Sequence, residues 1–364
     1  MVLHKLKKWY AKYERPISSL SLLAGFAFDA LTLKRVDLFL ENLWVAVHLL
    51  VAALGIIFLN VYENRKDKMS QKNASLIHFW LIIIVQFAFG GLLSTFLVFY
   101  FRSATLSVSW PFMLFLVAVF ASNELLKQHY SKVVFQTIVL FICIYAFAIY
   151  IVPVIMHKIG AGIFLLSGAV SLVLLSVFLI GLWYISRERF RTSRNILLAS
   201  IGGILIFVNA LYFTHLIPPI PLSLKDAGIY YSLKWDKTQG NYIGLAEAGL
   251  WSDFFKPYPV VRIHPDQHLY AYTAIFSPAD LNTTVIHRWQ YYDESKKEWT
   301  TVNSVVLPIN GGRDDGYRTY SQKSSTFPGR WRVDVLTPRG ELIGRVKFAL
   351  SSTSDDFIIA TSTL

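Results

Sequence analysis

One cysteine, Cys143, stands in a chain of 364 residues. A single thiol forms no intrachain disulfide and no cysteine-based zinc or iron–sulfur site. Charge is scarce too: Asp, Glu, Lys and Arg make up 16% of the chain, where soluble domains carry about 25%. No G-x-S-x-G run is present, which removes the nucleophile elbow of the α/β-hydrolases. The glycine-rich stretch Asn310–Arg318 has neither the lysine nor the hydroxyl residue of a P-loop, and Asp314-Asp315 lacks EF-hand spacing. After residue 216 there is no apolar run long enough to cross a bilayer.

Apolar and aromatic residues instead make up 54% of the chain, and before residue 216 they form long runs. A membrane crossing takes about 20 mostly apolar residues. Seven spans are expected, at roughly 17–33, 39–61, 76–101, 106–126, 133–156, 162–185 and 195–216. The first is short and contains Asp29. Residues 1–16 read as a basic cytoplasmic N-terminus. Pro218, Pro219 and Pro221 fix φ and remove backbone donors, so residues 217–227 read as a proline-rich linker. Residues 228–364 form a separate domain.

The net charge of +12 is unevenly placed. Residues 1–215 hold 19 Lys/Arg and 8 Asp/Glu, whereas residues 216–364 hold 16 and 15. The excess lies in loops between spans, 15 cations on one side and 4 on the other. That asymmetry orients spans and argues against nucleic acid as a partner. It puts the N-terminus in the cytoplasm and the C-terminal domain on the far side. A rival reading, residues 1–30 as a cleaved signal peptide, lacks a small-x-small site before Asp29 and leaves the far-side domain where it is.

Ionisable side chains at membrane depth are functional candidates by default: Asp29, His48, Glu41 and Glu124. Glu41 and Glu124 sit near span ends, within reach of interfacial water, which leaves Asp29 and His48 as the pair for proton or solute movement. Gln86, Gln136 and Asn209 suit interhelical hydrogen bonds, and Gly90-Gly91 and Gly202-Gly203 suit close helix packing.

Beyond the prolines the apolar period becomes two. In Gly329–Val335, Trp331, Val333 and Val335 alternate with Arg330, Arg332 and Asp334. A turn at Thr337–Gly340 then returns the chain through Leu342–Leu350 as a hairpin. Further runs at 268–276, 284–292, 302–309 and 317–322, with weaker ones at 228–233 and 242–245, make seven or eight strands. The expected fold class is an α-helical transmembrane bundle followed by an all-β, antiparallel, immunoglobulin-like sandwich.

The motifs AIFSPA (Ala274–Ala279), VIHRW (Val285–Trp289), LPINGGR (Leu307–Arg313), GYRTYS (Gly316–Ser321), GRWRVDV (Gly329–Val335) and GELIG (Gly340–Gly344) occur in that order. Together they resemble the family called domain of unknown function 2914, over residues 268–350. The resemblance implies a bacterial envelope protein, multi-pass in the inner membrane, with a β-sandwich facing the periplasm. It brings no catalytic residues.

His264, Asp266 and His268 have an H-x-D-x-H spacing, but Pro265 makes that run a loop and no fourth ligand accompanies it; neither metal nor cofactor is expected. Ser277 and Ser321 have no readable His or Asp partner. Trp289 and Trp331 read as core, and His287, alternating with Val285 and Trp289, as inward-facing. Arg313, Tyr317, Arg318 and Tyr320, on or beside the glycine-rich loop, are the ligand-binding candidates, for flat rings and a guanidinium suit glycans or protein partners. The expected protein presents its β-sandwich to an envelope protein or glycan without catalysis. The alternative is a transporter, or a proton-coupled protein, working through Asp29 and His48 with the sandwich as accessory.

Overall fold

The computed structural model of the chain describes residues 23–65, 71–125, 132–185, 187–238, 240–247, 257–264, 267–353 and 358–364. The chain divides into two compact units at the Ile217–Pro218 bond, the second also taking in the short segment Ser103–Val108. The first is helical and the second is β-rich.

In hydrocarbon every backbone N–H and C=O must be bonded inside its own segment, and a helix does this. Among the described residues six helices are long and apolar enough to cross a membrane. They are α2 (Phe39–Arg65), α3 (Gln71–Ser103), α4 (Leu106–Leu125), α5 (Val133–Met156), α6 (Ala161–Ile185) and α7 (Arg187–Phe213). The described part of the expected first span is α1, Leu23–Thr32; residues 17–22 lie outside the described residues. A folded connection follows α1. The Glu41 carboxylate accepts the N–H groups of Lys34 (2.8 Å) and Arg35 (3.1 Å), and Arg35 pairs with Asp37. Arg102 donates to the carbonyls of Lys34 (2.7 Å) and Ala30 (2.9 Å).

Helix α5 is the centre of the first unit: 72% of its apolar window is buried, against 22% for α7. It packs on α2, α6 and α7. Without a hydrophobic drive between helices in lipid, packing and polar contacts hold them. Tyr100 of α3 donates to the Ala146 carbonyl (2.9 Å), Asn209 of α7 to the Tyr145 hydroxyl (3.3 Å), and Asn60 of α2 to Gln136 of α5 (3.4 Å). Gln86 reaches the Asn123 carbonyl at 3.4 Å. The glycine pairs divide. A Cβ at Gly91 would stand 3.0 Å from the His48 ring, so α2 and α3 meet there, whereas Gly202 and Gly203 have nothing within 4 Å and serve no close packing.

The β unit begins earlier than the linker reading allows. After two tight turns through Pro218 and Pro219, and a cis Ile220–Pro221 bond, β1 runs Ser223–Tyr230. Ten strands follow: β2 (Ser232–Asp236), β3 (Asn241–Glu247), β4 (Val260–Ile263), β5 (Leu269–Phe276), β6 (Thr283–Asp293), β7 (Glu298–Ile309), β8 (Tyr317–Lys323), β9 (Gly329–Leu336), β10 (Leu342–Ser352) and β11 (Ile359–Thr363). The expected run at 228–233 is therefore divided between β1 and β2.

Three sheets result, with orders β1-β5-β8, β4-β10-β9-β6-β7 and β11-β3-β2. Pairing is antiparallel except for β4 on β10, which corrects a wholly antiparallel expectation. The hairpin turn at Thr337–Gly340 joins β9 to β10, with the Gly340 N–H on the Thr337 carbonyl (2.9 Å) and Gly340 at φ 88°, where a side chain would be strained. The first two sheets share one apolar core: Leu269 and Ala271 of β5, Trp289 of β6, Trp331 and Val333 of β9, Phe348 and Leu350 of β10, with Ile263. Both tryptophans are fully buried, as their alternation implies.

Candidate functional site

Strand β5 has two faces. Leu269, Ala271, Thr273 and Ile275 turn toward the shared core, so Tyr270, Tyr272 and Ala274 occupy the other face. Register places Tyr320 of β8 and Gly228 of β1 on either side of Tyr272. Gly228 has no side chain, and the Tyr230 ring fills that place: a Cβ there would lie 2.8 Å from Tyr230 Cε2. A Cβ at Gly244 of β3 would lie 2.6 Å from the same ring, which brings the third sheet against the first.

The result is a run of rings. Trp235 and Tyr242, directly paired across β2 and β3, lie 4.9 Å apart. Tyr242 meets Tyr320 at 5.7 Å and Tyr272 at 6.2 Å; Tyr320 meets Tyr270 at 5.8 Å, and Tyr272 meets Tyr230 at 6.0 Å. All are edge-to-face, the arrangement the ring quadrupole favours. Trp235 (46% exposed) and Tyr320 (37%) form its open end, and Tyr272 its buried one. Burial, with Asp226 nearby, pushes the Tyr230 phenol up to about 12. Burial also raises Tyr242 and Tyr272, the latter held back by Arg318. At neutral pH these hydroxyls are uncharged hydrogen-bonding groups.

The four candidates fare differently. Tyr320 is part of the array. Arg318 is engaged by its own chain, donating to the Gly240 carbonyl (3.2 Å) and to Asn241 Oδ1 (2.6 Å), and so ties the β2–β3 turn to β8. Arg313 is exposed and near enough to Tyr242 to act on its phenol. Tyr317, paired with Ile275, is half-buried and also near enough to Tyr242 to act on its phenol. The glycine-rich loop is a tight connection. A Cβ at Gly311 would overlap the Pro278 carbonyl, and one at Gly316 (φ 90°) would stand 2.8 Å from the Ile275 nitrogen. Trp235, Tyr242 and Tyr270 escaped sequence reasoning; the alternation in Leu269–Phe276 was the one available signal for Tyr270.

Between the two sheets lies a buried polar cluster. The Ser321 hydroxyl is 3.0 Å from His287 Nδ1 and accepts the Trp289 indole N–H at 2.9 Å, and Thr273 Oγ1 is 3.0 Å from His287 Nε2. Ser321 thus has the histidine partner that its sequence surroundings hide. The pair resembles a nucleophile and base by distance, yet both residues are at most 2% exposed and hydroxyls alone flank the imidazole, so it cross-links β5 and β8 to β6. Burial lowers the His287 pKa from 6.5 to about 4. Of the metal-spacing residues, Asp266 lies outside the described residues, and among those described no group of three or more His, Cys, Asp or Glu could hold a metal.

In the helical unit, His48 Nδ1 lies 2.9 Å from the Trp44 carbonyl and donates to it. His48 is buried among Trp44 (4.3 Å between rings), Phe87 and Gly91. Asp29 of α1 lies beside Ser94 and within electrostatic reach of His48. Glu41 is instead consumed by the connection after α1. Glu124 is in the last turn of α4, and its side chain lies outside the described residues.

Six membrane-length helices and a β-rich C-terminal region fit a multi-pass membrane protein with an accessory β domain. Residues 282–350, from the start of β6 into β10, match the family described as "Protein of unknown function (DUF2914)". The match includes Arg313, Tyr317, Arg318 and Tyr320 but not β1–β5, so it is shorter than the expected 268–350. A search of curated proteins found no match. Among solved structures, a β-glucosidase from Listeria innocua in complex with isofagomine is 11% identical, over 31% of this chain and 16% of that one, with a TM-score of 0.19. The chain thus spans under a fifth of that enzyme. The Pseudomonas fluorescens alkylpurine DNA glycosylase AlkC, bound to DNA containing an abasic site analog, is 8% identical over 85% of this chain and 98% of that one, with a TM-score of 0.21. Similarity this slight carries no argument about fold or function.

The His287 cluster makes a testable demand. Its imidazole is neutral when folded, so acid favours the unfolded state: stability falls as pH drops below 6.5 and the loss is complete near pH 4. The full drop is about 3 kcal/mol. Hydrogen exchange over β6 in the full-length protein in nanodiscs, corrected for intrinsic rates, should show β6 opening more readily at pH 4.5 than at pH 7. His287→Gln should flatten that dependence; an unchanged slope would clear His287 of the effect.

Proposed function

We propose that the chain is an integral protein of the bacterial inner membrane whose C-terminal unit lies on the periplasmic side and binds an envelope protein or glycan. The observation that carries this reading is the tyrosine array open at Trp235 and Tyr320, with Arg313 beside it. Flat rings with hydroxyl handles are what glycan and protein partners use, and truncating a central tryptophan commonly costs about 2 kcal/mol or more of binding. The two sheets around Trp289 and Trp331 are read as an immunoglobulin-like sandwich, with β11-β3-β2 as an added layer that completes the aromatic face.

The far-side location rests on the segments flanking and joining α2 to α7, and does not depend on whether residues 17–33 cross. From residue 34 onward, the loops on one side hold 10 cations and those on the other hold 4, and the C-terminal unit follows the poorer side. A photo-crosslinker at Tyr320 in the intact protein should capture one defined envelope component in living cells. Trp235→Ala should lower that yield about tenfold. Capture of the same component from Val306 but not from Tyr320 would contradict this assignment.

A second reading is favoured by one observation, the approach of Asp29 to His48 and Ser94. Carboxyl and imidazole groups at membrane depth mark proton pathways. On this reading the helices carry protons, alone or with a solute, and the β unit is accessory. Proteoliposomes containing a pH-sensitive dye should then report proton entry with the native chain and none with Asp29→Asn. Identical traces would leave the helices as an anchor.

A further inference from the structure

The outward face of the five-stranded sheet is chemically distinct from the tyrosine array. Alternation sends Trp289, Trp331, Val333 and Phe348 inward, so their neighbours in sequence form the other side. Register lines these up in rows across the strands. One row runs Arg288, Asp334, Arg345; the next runs Gln290, Arg332, Lys347. Along a row the strands are about 4.8 Å apart.

Aromatic rings support the cations from beneath. Arg332 lies over Trp299 at 4.3 Å, Arg330 over Tyr292 at 4.0 Å, and Lys347 faces Tyr258 at 5.8 Å. Trp299 in turn stacks near Tyr258 and meets Tyr292 at 5.3 Å. Arg345 is fixed by two bonds to Asp334 (2.5 and 2.7 Å), and Arg332 Nε donates to Gln290 at 2.8 Å. Six cations, Arg262 of β4 included, therefore stand against three anions, Asp334, Glu294 and Glu247, in a part of the chain that is otherwise close to neutral. Among the described residues neither Arg288 nor Lys347 is in an ion pair.

We propose that this face is a binding site for a linear acidic polysaccharide. The charge calls for an anionic partner, and three features select a glycan. Arg332 and Lys347 one strand apart, and Arg288 and Arg345 two strands apart, match a polymer whose acidic groups repeat. Thr301 and Ser304, exposed on the same face, offer hydroxyl groups to sugar hydroxyls. The rings are half-buried beneath guanidinium groups, so they do not protrude as a lipid surface would need. The proposal rests on the reading of the β unit as a binding module and uses a face that the Tyr320 array does not.

Polygalacturonate is a suitable probe. The full-length chain in neutral-lipid nanodiscs should bind it in near-physiological salt and ignore uncharged dextran. Arg288→Gln with Lys347→Gln should weaken binding about tenfold, while Lys234→Gln with Lys237→Gln, which removes the same charge from exposed positions on and after β2, should leave it unchanged. Absence of polygalacturonate binding, undiminished binding by the Arg288/Lys347 variant, or equal binding of polyglutamate or phosphatidylglycerol vesicles would overturn the proposal. Crosslinking at Tyr320 that survives such a result leaves the aromatic-face reading intact, so the two can fail separately.

Discussion

A peptide group surrounded by hydrocarbon has no water to bond, and this constraint governs how the chain is divided. Among the described residues up to Phe213, long helices meet it with amides satisfied internally. Pro218, Pro219 and Pro221 then end helical structure, and strands take over at Ser223. Strand amides find partners far away in sequence: Leu269 pairs with Lys323, and Ile359 with Glu247. Such long-range pairing is costly to establish in lipid but ordinary beside water.

The same division decides how polar side chains are used. Among the helices, Asn60, Tyr100 and Asn209 each bridge two segments, and Glu41 and Arg102 are absorbed by the turn after α1. In the β unit, His287, Ser321, Thr273 and Trp289 fasten one sheet to the next from inside, while Arg318 fastens the third from outside. What remains unconsumed differs by face: neutral rings near Trp235 and Tyr320, cations near Arg288 and Lys347.

How much of this could be read from residues alone follows from the range of each interaction. Helices α2–α7 were legible because an unbroken apolar run admits little else, and the β9–β10 hairpin because alternation and the turn at Thr337–Gly340 are local. The connection after α1 was not legible, because Arg102, which takes the Ala30 and Lys34 carbonyls, lies far along the chain. Strand β1 was masked by its proline-rich approach. The third sheet was illegible, since β11 and β3 meet only after the intervening hundred-odd residues have folded, and no pattern near Gly244 announces the Tyr230 ring it admits. For the same reason Tyr320 could be singled out but its partners Tyr242 and Tyr270 could not.

Both proposed surfaces presuppose that the β unit faces the periplasm, and the most direct measurement is of its side. Alkaline phosphatase, active only where its disulfides form, and a green fluorescent protein that matures only in the cytosol can each be joined after Leu364. The distribution of Lys and Arg between the loops requires an active phosphatase and a dark fluorescent fusion. A fluorescent fusion with silent phosphatase would place the β unit in the cytosol and contradict the proposed role at its root.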